Sequence, residues 1–124
     1  MIHHALVLTD DLEGSRAFYV DVLGFVETDR PPLEFSGVWL GLGGEACIHL
    51  ADRGEYLAHV ATLGMEPVDG PIDHVAVRRE DYDALRARLA AAGVEAIPHE
   101  VPGRFRQLYV LDPNGVRLEL NVGA

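Results

Sequence analysis

The chain has 124 residues, 48% of them hydrophobic and 24% charged, which are the proportions of a globular domain with a real core. A formal net charge of −10 speaks against nucleic acid and anionic membrane as partners, since both repel acidic surfaces. The single Cys47 rules out an internal disulfide and a cysteine zinc cluster. No apolar run is long enough for a bilayer, and Met1-Ile2-His3-His4 leads into an alternating segment without signal-peptide character, so a cytoplasmic setting is expected.

The first predicted element is a strand, His4-Ala5-Leu6-Val7-Leu8, from its alternating pattern. A helix follows, with Asp10 and Glu13 spaced as a capping box, Phe18, Val22 and Phe25 along one side, and Gly24 as its stop. Strands over 25–28, 38–42 and 46–50 come next, the last two joined at Gly43-Gly44. Residues 51–71 are charged, end in Pro67, Gly70 and Pro71, and predict a connector with a helical turn around 56–63.

The same order then repeats. A strand begins at His74-Val75-Ala76-Val77-Arg78, and a helix carries Tyr82, Leu85, Leu89 and Ala92 on one face with Gly93 at its end. Strands over 94–98, 107–111 and 116–122 complete the set, with a turn at Pro113-Asn114-Gly115. Sliding the sequence on itself by 70 residues places His4 on His74, Asp11 on Asp81, Trp39 on Tyr109, and His49 on Glu119. The chain therefore reads as one α+β domain of two βαβββ modules, residues 1–50 and 72–124, joined by residues 51–71. About twenty extended residues reach roughly 60 Å, far enough to pair the modules within one chain or across two.

His4 and His49 are separated by 45 residues, as are His74 and Glu119. Equal spacing means equivalent positions, one in the first strand and one in the last strand of each module. Pseudo-twofold packing of two such modules brings His4, His49, His74 and Glu119 to one axis. Three imidazoles and a carboxylate suit zinc, nickel, cobalt, manganese or iron(II) better than calcium or magnesium. Four ligands on an octahedral ion leave two adjacent positions for a substrate that chelates through neighbouring oxygens. His3 lies out of register with His74 and is expected at the surface; His59 and His99 are expected in solvated positions.

The three segments His4 with Asp11-Leu12-Glu13-Gly14-Ser15-Arg16-Ala17-Phe18-Tyr19-Val20-Asp21-Val22-Leu23-Gly24-Phe25, Asp73-His74-Val75-Ala76, and Leu111-Asp112-Pro113-Asn114-Gly115-Val116-Arg117-Leu118-Glu119-Leu120 occur in order along nearly the whole chain. Together they resemble the vicinal oxygen chelate superfamily, which contains lactoylglutathione lyase, extradiol dioxygenases, methylmalonyl-CoA epimerase and fosfomycin- and bleomycin-resistance proteins. The resemblance is to its short glyoxalase-like members. It implies a cupped, half-barrel mixed sheet around one divalent ion, a homodimer, and His4, His74 and Glu119 as common ligands. The position of His49 varies across the family, being glutamate in lactoylglutathione lyase and glutamine in methylmalonyl-CoA epimerase-like proteins.

A lyase or isomerase moving a proton by way of an enediolate is then the leading expectation, with Glu119 as the base. Phe35, Trp39 and Tyr109 are expected to line the site, and Arg104, Arg106 or Arg117 to pair with a substrate carboxylate. An iron(II) extradiol-type dioxygenase and a resistance protein that binds a small molecule are the alternatives.

Overall fold

The computed structural model describes residues 1–111, 113 and 115–123. Asn114, in the middle of the expected turn, lies outside the described residues, as do Asp112 and Ala124; Gly115 takes φ +85°, as a turn glycine does. Among the described residues the fold is α+β, with eight strands in mixed parallel and antiparallel pairing and three α-helices. Among the described residues no helix is long and apolar enough to cross a membrane. The chain divides into two compact units, residues 4–73 and residues 1–3 with 74–124.

In the unit of residues 4–73, β1 (Ile2–Thr9) pairs in parallel with β4 (Ile48–Asp52), and β3 (Gly37–Gly41) runs antiparallel between β4 and β2 (Val26–Thr28). Helix α1 (Leu12–Ala17) is capped by Asp11, whose Oδ1 accepts from Gly14 N at 3.0 Å. The cap is thus one residue later than the expected Asp10, which instead accepts from Arg53 Nε at 3.1 Å. The helix continues as a π turn over Phe18–Val22. Phe18 and Val22, at the two ends of that turn, are both exposed. The connector holds a full helix, α2 (Arg53–Thr62), longer than the expected turn. It is capped by Asp52 through Glu55 N and buries Tyr56 and Val60.

In the other unit, β5 (Ile72–Arg79) pairs in parallel with β8 (Arg117–Gly123), while β7 (Phe105–Leu111) runs antiparallel between β8 and β6 (Ile97–Val101). Helix α3 (Tyr82–Ala91) is capped by Asp81, whose Oδ1 accepts from Ala84 N at 3.3 Å. Asp81 holds φ +57° to do so, a left-handed conformation that aspartate tolerates because its short side chain bonds locally. Leu85 of α3 packs on Leu108, Val110 and Leu120, with Val77, Tyr82, Leu89, Leu118 and Val122 around them.

Successive strand residues point to opposite faces, so the residues between those core positions look the other way. On β7 these are Gln107 and Tyr109, and on β8 they are Arg117, Glu119 and Asn121. The apolar face holds the unit together. Replacing the fully buried Leu108 by alanine should lower unfolding free energy by about 2–5 kcal/mol, read as an earlier midpoint in urea denaturation with an unchanged slope.

Candidate metal centre

Parallel pairing sets both predicted donor pairs in the same way. Leu6 lies opposite His49 and Ala76 lies opposite Glu119. Each first-strand histidine, His4 or His74, therefore sits two residues before the position facing its module's last-strand donor, on the same face. The 45-residue spacing is this register written in the sequence. The antiparallel neighbour supplies an aromatic residue in each case, Trp39 opposite His49 and Tyr109 opposite Glu119.

In the unit of residues 4–73, the His49 ring is stacked between two others. It lies 4.1 Å from Trp39 with 8° between planes, and 3.6 Å from His4 with 17° between planes. His4 and His49 are both buried. An imidazole lone pair lies in the ring plane, so two rings stacked face to face do not aim their nitrogens at one point.

In the other unit, His74 and Glu119 are each 2% exposed, with His74 Nε2 3.4 Å from Glu119 Oε1. Tyr109 donates its hydroxyl toward Glu119 Oε1 at 3.1 Å, and Asn121 Nδ2 donates to Glu119 Oε2 at 3.2 Å. Donors on both carboxylate oxygens favour its ionised form. The Tyr109 hydroxyl is also 3.2 Å from Gln107 Oε1, and that oxygen is 2.8 Å from His99 Nδ1.

Among the described residues, His4 and His49 are buried in one unit, and His74 and Glu119 are buried together in the other. The donor chemistry suits a divalent transition ion, because two buried imidazoles and a carboxylate are its ordinary ligands. The 3.4 Å between His74 and Glu119 is close to the roughly 3.0–3.4 Å that separates adjacent ligand atoms each about 2.1 Å from one ion.

The other expected lining residues separate. Trp39 and Tyr109 flank the donors, and Arg117 is buried on the Glu119 face of β8. Phe35 packs instead on Tyr56 and His59 of α2, at ring distances of 4.8 and 5.3 Å, and its carbonyl accepts from Arg30 Nη2 at 2.6 Å. Burial there pushes the Arg30 guanidinium below its usual range, an effect opposed by the charge of Glu55. Arg106 lies on the α3 face, 4.0 Å over the Tyr82 ring, and Arg104 is exposed in the turn before β7.

Gln107, Asn121 and Asp73 were not singled out by the sequence. Asp73 is buried and accepts from Tyr56 Oη at 3.0 Å, on the β5 face opposite His74. His3, His59 and His99 are half-buried rather than solvated.

A family model described as the Glyoxalase/Bleomycin resistance protein/Dioxygenase superfamily matches residues 1–120. The chain is 29% identical to glyoxylase I 4 of Arabidopsis thaliana over 126 aligned residues, covering 96% of this chain and 68% of that protein. It is also 29% identical to glutathione transferase FosA of Serratia marcescens, covering 99% and 81%. The fold resembles that of methylmalonyl-CoA epimerase from Mycobacterium tuberculosis, with a TM-score of 0.77, 23% identity, and coverage of 99% of this chain and 87% of that one.

The stack around the only tryptophan can be read optically. In His49→Ala, water replaces the imidazole on one face of Trp39, and the fluorescence emission should move to longer wavelength. An unchanged spectrum would contradict the stacking.

Proposed function

Because the chain belongs to the Glyoxalase/Bleomycin resistance protein/Dioxygenase superfamily, we propose that it is a divalent-metal-dependent enzyme whose small substrate binds through two neighbouring oxygens. The observation that carries this reading is the buried pair His74 and Glu119, 3.4 Å apart. Together with His4, as likeness to the family implies, they would hold the ion. His49, the fourth expected ligand, is read here as a lining residue, because its ring is stacked on His4 rather than turned edge-on. When bound, a divalent ion supplies the Lewis acidity that polarises the substrate's oxygens and acidifies an adjacent carbon-bound hydrogen.

The protein's own groups supply the rest. Glu119 is the one carboxylate of the donor set and the candidate proton acceptor. Its hydrogen bonds from Tyr109 and Asn121 moderate its basicity and hold it in place. Trp39 and His49 form a flat wall beside His4 that keeps water off that side. Arg117, two residues before Glu119 on the same face, offers a positive charge for a substrate carboxylate. The reaction read from this set is a proton transfer next to a carbonyl, of the lyase or isomerase kind, on a dicarbonyl-derived or hydroxy-carbonyl substrate. A homodimer is proposed by likeness to the family.

One observation favours a second reading. Two histidines and one carboxylate, without His49, form the donor set of non-haem iron(II) oxygenases and leave three positions open instead of two. Oxygen uptake with a catechol on the iron(II)-loaded protein would support it. Conversion of a hemithioacetal with zinc or nickel, and no oxygen uptake, would support proton transfer.

Elemental analysis of protein purified without an affinity tag should find about one divalent ion per site, with exchangeable zinc, nickel, cobalt, manganese or iron. His4→Ala, His74→Ala and Glu119→Gln should each weaken metal binding by more than about 100-fold, beyond what changes outside the ligand set cause. His49→Ala should stay within about tenfold of the parent. A collapse of metal content in His49→Ala would restore the four-ligand centre, and a protein that stays metal-free after metal addition would favour a binding role.

A further inference from the structure

Behind Glu119 lies a chain of polar side chains on β6, β7 and β8. Register places His99 opposite Gln107 and Tyr109 opposite Glu119, and Gln107 and Tyr109 are neighbours on one face of β7. The run is His99 Nδ1 to the Gln107 amide at 2.8 Å, the same amide atom to the Tyr109 hydroxyl at 3.2 Å, and that hydroxyl to Glu119 Oε1 at 3.1 Å. Gln107 and Tyr109 are buried, and His99 is half-buried on the edge strand.

The protons in this run can be counted. Tyr109 has one, and its partners include the acceptors Gln107 Oε1 and Glu119 Oε1. A carboxylate is the stronger acceptor, so the phenolic proton goes to Glu119. That leaves the phenol oxygen facing Gln107 with only lone pairs, 3.2 Å from an amide oxygen that has none to give.

Turning the planar amide by 180° removes the conflict, because it puts NH2 at the same place. One hydrogen then goes to the Tyr109 oxygen and the other to His99 Nδ1. All four side chains are satisfied in this arrangement, provided that His99 carries its hydrogen on Nε2.

We propose that His99 and Gln107 are positioning residues, which commit the single proton of Tyr109 to Glu119. His99 selects the orientation of the Gln107 amide, that amide donates to the phenol oxygen, and the phenol donates to the carboxylate. Neither residue is among the proposed ligands His4, His74 and Glu119. They act on the metal only through Tyr109, so this part rests on the metal-centre reading above, whereas the tautomer of His99 does not.

Two measurements test it. Long-range nitrogen–proton NMR on the metal-free protein should show His99 as the Nε2–H tautomer with an accepting Nδ1. Competition titrations with zinc or cobalt should show His99→Phe and Gln107→Leu each weakening binding by about tenfold. His99→Asn, whose amide can place an acceptor near the former Nδ1, should recover most of that loss. His99→Phe added to Tyr109→Phe should cost nothing further, since the route through the phenol is already cut.

An Nδ1–H tautomer would overturn the proposal, as would full binding by His99→Phe or an additive loss in the double variant. Absence of metal binding by the parent protein, with the Nε2–H tautomer present, would overturn the metal reading and leave the hydrogen-bond order standing.

Discussion

A carboxylate only 2% exposed, as Glu119 is, cannot stay ionised inside a protein unless donors or opposite charges surround it, since an unmatched buried charge costs several kcal/mol. That requirement organises the unit that contains it. Tyr109 meets one oxygen from across the ladder, Asn121 meets the other from two residues along the same strand, and His74 stands 3.4 Å away. These partners occupy one face of β5, β7 and β8, so the opposite face is left to apolar packing against α3. The aliphatic cluster of Leu85, Leu108, Val110 and Leu120 and the polar group are two sides of the same alternation.

The two repeats solve different problems on the same backbone frame. In one, the last-strand position holds an imidazole and its cross-strand neighbour is an indole, and the two stack at 4.1 Å. In the other it holds a carboxylate and the neighbour is a phenol, which gives it a hydrogen bond at 3.1 Å. An imidazole gains from a flat π surface and a carboxylate from an O–H, so each aromatic residue suits its partner. Trp39 and Tyr109 are therefore better understood as companions of the donors than as generic lining.

Much of this could be read from the sequence, because strands write themselves as alternation and a duplication as a constant offset. The order of elements and the glycine stop at 93 follow from those two periodicities, whereas the first helix is capped by Asp11 rather than by the expected Asp10. What escaped depended on knowing which strand lies beside which. His99 follows Pro98 and looked solvated; only the β6–β7 register shows it facing Gln107. Phe35 and Arg106 have the right chemistry for a site, but a loop packed on α2 and a strand face turned to α3 direct them elsewhere. The stacking of His49 is a matter of side-chain rotation, which spacing does not encode. Helix α2 was underestimated because its charged stretch shows only a short apolar stripe, and Tyr56 and Val60 alone are buried.

Each repeat also joins its own first strand to its own last strand, β1 to β4 and β5 to β8, through backbone hydrogen bonds. Those bonds are indifferent to side-chain identity, so the alignment between first and last strands can be inherited unchanged while the residue displayed there drifts. A duplicated ancestor could thus keep its 45-residue interval in both copies and still exchange an imidazole for a carboxylate in one of them. Chemical novelty in such a lineage needs only a point substitution at a preserved address, with no rethreading of the chain.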